Sequence, residues 1–148
     1  RLSMNFHYLL MSGHAIYLKQ LMAQLNHTGL TPGQPKVLDY LMAHDGANQR
    51  EIADACHIEA ATLTSVLNGM EAKSLIERRR TDGDRRSFYI YLTGSGKEMG
   101  QKVTEAFSRL EEDTFRDIPP EKVQEFMELF RELYLRMQRN FDTGEPAK

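Results

Sequence analysis

EAATLTSVLNGMEAKSLIERRRTDGDRRSFYIYLT, residues 59–93, changes its hydrophobic period partway along, and that change decides the fold. Leu63, Val66, Leu67 and Met70 stand at i, i+3, i+4 and i+7, the apolar stripe of an amphipathic helix. At about 100° per residue, the opposite face carries Ala61, Ser65, Asn68 and Ala72, with Thr64 and Gly69 on its flanks. That face is small and polar, almost without charge before Glu71 and Lys73. A solvated helix usually wears Lys and Glu there. Short hydroxyl and amide groups suit a helix that enters a groove and meets base edges.

After Leu75 the period becomes two. Ile76, Arg78 and Arg80 alternate with Glu77 and Arg79, Asp82-Gly83 supplies turn chemistry, and Phe88, Ile90 and Leu92 alternate with Ser87, Tyr89 and Tyr91. Two alternating runs around a glycine-containing loop predict a β-hairpin. Its tip carries Asp84, Arg85 and Arg86. A groove-sized helix followed by an arginine-tipped hairpin is the pattern of a winged helix-turn-helix.

Charge supports that reading locally. Across all 148 residues the net charge is −2, which speaks against a uniformly basic coat. From Lys73 to Arg86, however, six basic residues face three acidic ones. A confined basic patch suits binding to DNA at a defined place; a solvated charged hairpin is the plainer alternative. The chain fits one domain, or a small domain with an assembly element. A hydrophobic fraction of 41% supports a core. No apolar run reaches a membrane span and no signal-peptide pattern is present, so a cytoplasmic protein is expected. The lone Cys56 excludes an intrachain disulfide and a multi-cysteine zinc site.

Outward from the central stretch, residues 5–26 form a helix whose apolar face includes Phe6, Leu9, Leu10, Ile16, Tyr17, Leu21 and Leu25, extended by Met11, Leu18 and Met22. That exceeds what one small domain buries and predicts contact with a second chain. His7 and His14 share a face but have no recognisable metal-ligating partners, which leaves interface or pocket roles. Thr31 is read as an N-cap, with Pro32 opening the helix and Gln34 completing a capping box. Val37, Leu38, Leu41 and Met42 then face inward. Gln49 to Cys56 is a short helix with Ile52, Ala53 and Cys56 inward, and with the helix after it makes a helix-turn-helix. Thr93 and Ser95 compete to cap a long helix, Ile118-Pro119-Pro120 breaks the chain, and the last helix carries Phe126, Leu129, Phe130, Leu133, Tyr134 and Met137 as one stripe. The predicted architecture is mainly α with a small β-hairpin wing. Residues 1–30 form an N-terminal dimerisation helix, residues 31–93 the winged helix-turn-helix lobe, and residues 94–148 a linking helix and a C-terminal dimerisation helix.

The ordered set Leu30-Thr31, Glu51-Ile52-Ala53, Met70-Glu71, Leu75-Ile76-Glu77-Arg78 and Asp84-Arg85-Arg86 through Leu92-Thr93 resembles the MarR family of bacterial transcription regulators. The most specific piece is DRRSFYIYLTGSGKE, which is similar to the family's wing motif. The resemblance implies a homodimer joined through its first and last helices, two DNA-binding lobes, and pseudo-palindromic promoter DNA as partner, usually under repression. It also implies a small effector at the junction of dimer region and lobe. On the same resemblance Arg86 is the wing arginine that enters the minor groove and Asp84 braces it. A planar cation suits the negative potential of that groove. Many members have arginine where this chain has Ser65, often another basic residue at Gly69, and commonly glycine at Ser74. Losing one bidentate arginine–guanine contact costs roughly 1–3 kcal/mol of discrimination. Specificity then rests on Thr62, Thr64, Ser65, Asn68 and DNA shape, with Gly69 read as allowing closer approach to the backbone.

The expected DNA contacts are therefore Ala61, Thr62, Thr64, Ser65 and Asn68, with Lys73, Arg78, Arg80, Asp84, Arg85 and Arg86 around the wing. His14, Tyr17 and Leu18 are the expected contacts of an aromatic or lipophilic effector. No catalytic residue, metal or cofactor is expected, because no nucleophile–base pair or phosphate-cradling glycine loop has recognisable spacing. Two other readings stay open: a redox-sensing regulator acting through Cys56, and a winged-helix module that contacts protein.

Overall fold

The computed structural model describes residues 3–80, 83 and 88–143. In chain order they form α1 (Phe6–Gln24), α2 (Gln34–Ala43), β1 (Ala47–Asn48), α3 (Gln49–Cys56), α4 (Ala60–Ala72), β2 (Ile76–Arg79), β3 (Tyr89–Leu92), α5 (Gly94–Phe115) and α6 (Pro120–Thr143). The chain divides into two compact units, residues 1–110 and residues 111–148. Among the described residues no helix is long and apolar enough to cross a membrane.

In the first unit, helices surround a small antiparallel sheet in the order β1-β3-β2. The hairpin pairs Ile76 with Leu92 and Arg78 with Ile90. Ile76, Ile90 and Leu92 are buried, so one face of the hairpin is core. The third strand was not anticipated: Ala47 and Asn48 pair with Ile90 and Tyr89. Two residues are too few to show alternation. β1 runs directly into α3, where Asn48 is the N-cap and accepts from the Glu51 backbone N–H at 2.8 Å. Asn48 Nδ2 donates to Glu51 Oε1 at 3.1 Å, closing the cap from both sides.

The helical stripes fill the core largely as their periods predict. Leu63, Leu67 and Met70 of α4 are fully buried, as are Val37, Leu38 and Leu41 of α2 and Ile52 of α3. Met42, expected inward, is 41% exposed. Its sulfur nevertheless covers Gly100, where a Cβ would lie 2.5 Å from Sδ. Thr93 wins the competition to cap α5, accepting from the Gly96 N–H at 2.9 Å and donating to the Ser74 carbonyl at 2.6 Å. α2 begins later than Pro32. Residues 32–33 form a turn, yet half of the predicted box is present, with Gln34 Oε1 accepting from the Thr31 N–H at 3.1 Å.

α1 is split along its length. Its C-terminal part places Leu21 and the following Leu25 in the core, whereas Phe6, Leu9, Met11 and Ile16 are each more than half exposed. In the second unit no described residue of α6 is buried. Phe126 stacks on Phe130 with centroids 5.4 Å apart, while Phe126, Leu129, Leu135 and Phe141 remain exposed.

Candidate nucleic-acid interface

α3 and α4 meet through a tight turn. His57 takes a left-handed conformation (φ 52°), and the Ile58 N–H donates to the Ala53 carbonyl at 3.0 Å. This stops α3 and lets α4 start at Ala60 in a new direction. Gln49 Nε2 then reaches from α3 to Thr64 Oγ1 on α4 at 3.3 Å. With Leu63, Leu67 and Met70 turned into the core, Ala61, Thr62, Thr64, Ser65 and Asn68 are all exposed. The five residues chosen from the helix therefore share one open face. It is a shallow surface of methyl, hydroxyl and amide groups, of a size that fits a major groove.

The basic residues divide into groups the sequence did not separate. Lys73 Nζ donates to the Gly29 carbonyl at 2.6 Å and to Gln34 Oε1 at 2.8 Å. It ties the end of α4 to the loop before α2. Arg78 is only 14% exposed in its side chain and reaches α4 twice. It donates to Glu71 Oε1 at 3.1 Å and to Asn68 Oδ1 at 2.9 Å. Both residues, grouped with the DNA contacts by charge alone, are engaged inside the lobe. Arg79 pairs with Glu77 at 3.1 Å and lies 4.2 Å from the Tyr91 ring centroid, and Arg80 lies 4.4 Å from that of Phe88. These stacked guanidiniums keep their positive charge on the surface of the wing strands. Asp84, Arg85 and Arg86 lie outside the described residues.

Two residues of consequence were underrated. Gln34 is buried, and its Oε1 accepts from both Thr31 N–H and Lys73 Nζ. Gly69 faces it: a Cβ there would lie 2.9 Å from Gln34 Nε2. Packing within the lobe thus gives Gly69 a structural reason of its own. The capping-box spacing pointed to Gln34 but gave no sign of its second partner.

The expected effector contacts are placed as follows. Tyr17 stacks on Phe107 of α5 with centroids 6.4 Å apart. Tyr17, Leu18 and Phe107 are half-buried and pack against the core, while His14 is exposed. Cys56 is buried, with its sulfur 3.9 Å from the Lys36 carbonyl oxygen. Burial pushes the thiol above its ordinary pKa, with Lys36 pulling it down and Asp39 pushing it up. Such a site favours the unreactive protonated form. Burial likewise raises the Asp39 carboxyl.

Residues 28–87 match the family model described as MarR family. The chain is 28% identical over 85 residues to a putative transcriptional regulatory protein for the hcr operon of Thauera aromatica, covering 57% of this chain and 51% of that protein. It is 30% identical over 87 residues to the organic hydroperoxide resistance transcriptional regulator of Bacillus subtilis, covering 59% of each. The chain thus spans between half and three fifths of these two curated relatives. Among solved structures, S. aureus MepR in its DNA-binding conformation superposes with a TM-score of 0.80 at 25% identity, over 90% of this chain and 98% of that one.

Proposed function

Starting from a chain that belongs to the MarR family of winged helix-turn-helix transcriptional regulators, we propose that it acts as a homodimeric repressor of its target promoters. It binds pseudo-palindromic duplex DNA, and a small aromatic or lipophilic effector alters that binding. The observation that carries the reading is the outer face of α4. Five short side chains stand exposed there in an otherwise charge-rich chain, backed by the fully buried Leu63, Leu67 and Met70 with Val66 partly buried beside them. Each lobe seats this face in a major groove, and the wing arginine Arg86 reaches the neighbouring minor groove.

Dimerisation rests on apolar surface that a lone chain leaves in water. Phe6, Leu9, Met11 and Ile16 of α1 and Phe126, Leu129, Leu135 and Phe141 of α6 are all exposed. Patches of this kind mark association surfaces, and a twofold axis presents the same patch from both copies. That axis also places two lobes on half-sites about one helical turn apart, roughly 34 Å. The effector occupies the side of the lobe where Tyr17 and Leu18 pack against the core and Tyr17 stacks on Phe107 of α5, with the exposed His14 as its candidate polar contact.

Fluorescence anisotropy with duplexes tiled across the intergenic DNA flanking the gene, read at several salt concentrations, tests the DNA-binding part. A specific site is expected, with Arg86→Ala weakening affinity and lowering the salt slope by about one. Sedimentation is expected to give a dimer. A strictly monomeric chain, or one with no more attraction for duplexes than an ordinary acidic protein, overturns the proposal. Salt-independent capture of a protein partner in place of DNA overturns it in favour of an interaction module.

A further inference from the structure

The contact between Arg78 and Asn68 constrains what the proposed recognition helix can read. Asn68 is exposed on the open face of α4, one turn beyond Thr64 and Ser65. An asparagine amide carries an acceptor oxygen and a donor NH2 group, and a bare one presents either by rotating. Here rotation is not free. Arg78 NH2 lies 2.9 Å from Asn68 Oδ1, and a guanidinium has donors only, so the atom facing it must be the oxygen. The guanidinium is itself held. It is mostly buried, its other terminal nitrogen pairs with Glu71 at 3.1 Å, and Arg78 sits opposite Ile90 on the core face of the hairpin. Turning the amide over would set its NH2 against a fixed cation.

We infer that Arg78 is a positioning residue that locks Asn68 with its NH2 group toward the groove, making Asn68 a specificity determinant for guanine over adenine. The inference rests on the DNA-binding reading above and adds to it which base edge this position takes. An unconstrained asparagine reads adenine bidentately, its oxygen accepting from N6 and its NH2 donating to N7. With the oxygen committed to Arg78, the adenine N6 amino group meets a second donor. Guanine offers two acceptors, O6 and N7, and both suit the outward NH2. Arg78 never touches DNA in this arrangement and acts through Asn68.

The test is selection of binding sites by the full chain from a randomised duplex pool, read by sequencing and followed by competition binding. The wild-type chain is expected to enrich one guanine per half-site whose preference over adenine, about tenfold, disappears in Asn68→Ala while other positions hold. Asn68→Asp keeps the Arg78 partner but replaces the outward donor by an acceptor, so the preference moves to cytosine, whose edge offers the N4 donor. Arg78→Met keeps the buried stem and frees the amide, so adenine is admitted at that position. Glu71→Gln, which leaves the Asn68 contact in place, keeps guanine. Three results each overturn the inference: adenine at the Asn68-dependent position in the wild-type chain, no position altered in Asn68→Ala, or guanine retained in Asn68→Asp. If Arg78→Met unfolds, which a thermal melt reports, the wild-type preference between guanine and adenine at the Asn68-dependent position still decides, because a free asparagine takes adenine. A wild-type chain that enriches no sequence at all overturns the regulator reading, and this inference with it.

Discussion

Replacing Gly69 by alanine separates helix propensity from the packing of α4 against α2. In an exposed helix interior the change stabilises by about 1 kcal/mol, since glycine leaves the most backbone freedom to lose. Here the new Cβ would lie 2.9 Å from Gln34 Nε2, closer than a methyl and an amide nitrogen tolerate. A glutamine at the surface would swing away. Gln34 is 2% exposed, and its oxygen is held by Thr31 N–H at 3.1 Å and Lys73 Nζ at 2.8 Å. Moving the nitrogen rotates the amide and draws the oxygen off both donors. A neutral hydrogen bond contributes about 1 kcal/mol and one to a charged group about 1.5–3 kcal/mol, so weakening both costs about 1–2 kcal/mol. The propensity gain is cancelled or exceeded, and Gly69→Ala comes out neutral to destabilising by about 1 kcal/mol. In a Gln34→Ala background the obstacle is gone and the same change stabilises by the full ~1 kcal/mol. The assay is urea unfolding followed by circular dichroism at one fixed protein concentration, because association makes the midpoint concentration-dependent. A coupling of about 1–2 kcal/mol stands clear of the ~0.3–0.5 kcal/mol scatter of additive sites. If Gly69→Ala stabilises equally in both backgrounds, Gln34 does not hold α4, and the account of Gly69 is wrong.

Gly96→Ala puts a Cβ 1.9 Å from the Leu75 carbonyl oxygen, which already accepts the Thr93 N–H at 3.0 Å; backbone cannot step aside, so a loss of about 3 kcal/mol or more is expected in urea. Gly94→Ala, with nothing within 4 Å, is the control and should be close to neutral. Ser74 holds φ 60° between α4 and β2, a left-handed conformation that costs a side-chain-bearing residue roughly 1–2 kcal/mol. Ser74→Gly relieves it against ~0.5–1 kcal/mol of added unfolded-state freedom, so the melting temperature should rise by a few degrees. The Cys56 thiol has its pKa raised by burial, so the folded state holds that proton more tightly than the unfolded chain. Its contribution is complete below the ordinary thiol value of 9.0 and is lost as pH rises through the higher folded value. Urea midpoints measured on both sides of that value should fall more steeply for the wild-type chain than for Cys56→Ala.

The order of helices and the hairpin were legible because each rests on a period with enough repeats to see. Leu63, Leu67 and Met70 recur at helical spacing over two turns, and Ile76 against Leu92 is the natural register for two alternating runs. β1 escaped because Ala47 and Asn48 become a strand only by pairing with β3 across 40-odd residues of sequence. The start of α2 moved as well. The Thr31–Gln34 box was visible, but the box alone does not fix where helix begins: Gly33 already has helical backbone angles (φ −80°, ψ −14°) and stands as the cap, so the first helical residue is Gln34.

The candidate site shows where charge counting stops. Lys73, Arg78, Arg79 and Arg80 are equivalent as members of a basic patch, yet one ties α4 to a loop, one is mostly buried and two stack on rings. For Arg78 the signal was present. In a strand, residues two apart share a face, and Ile76 is an obvious core residue, so Arg78 had to point the same way. An arginine aimed at a core must find partners, and the nearest polar groups are those on the helix packed behind the strand. Asn68 and Glu71, one turn apart on α4, meet that need. Arg80 continues the alternation outward past the end of β2 and settles over Phe88, which packs at the margin of the core, with its charge still exposed. Cation character available to phosphate therefore increases along the strand, from a guanidinium that is structural to one that is not. A DNA-binding wing needs that gradient: its base must be welded to the recognition helix, and its outer part must stay free to reach the duplex.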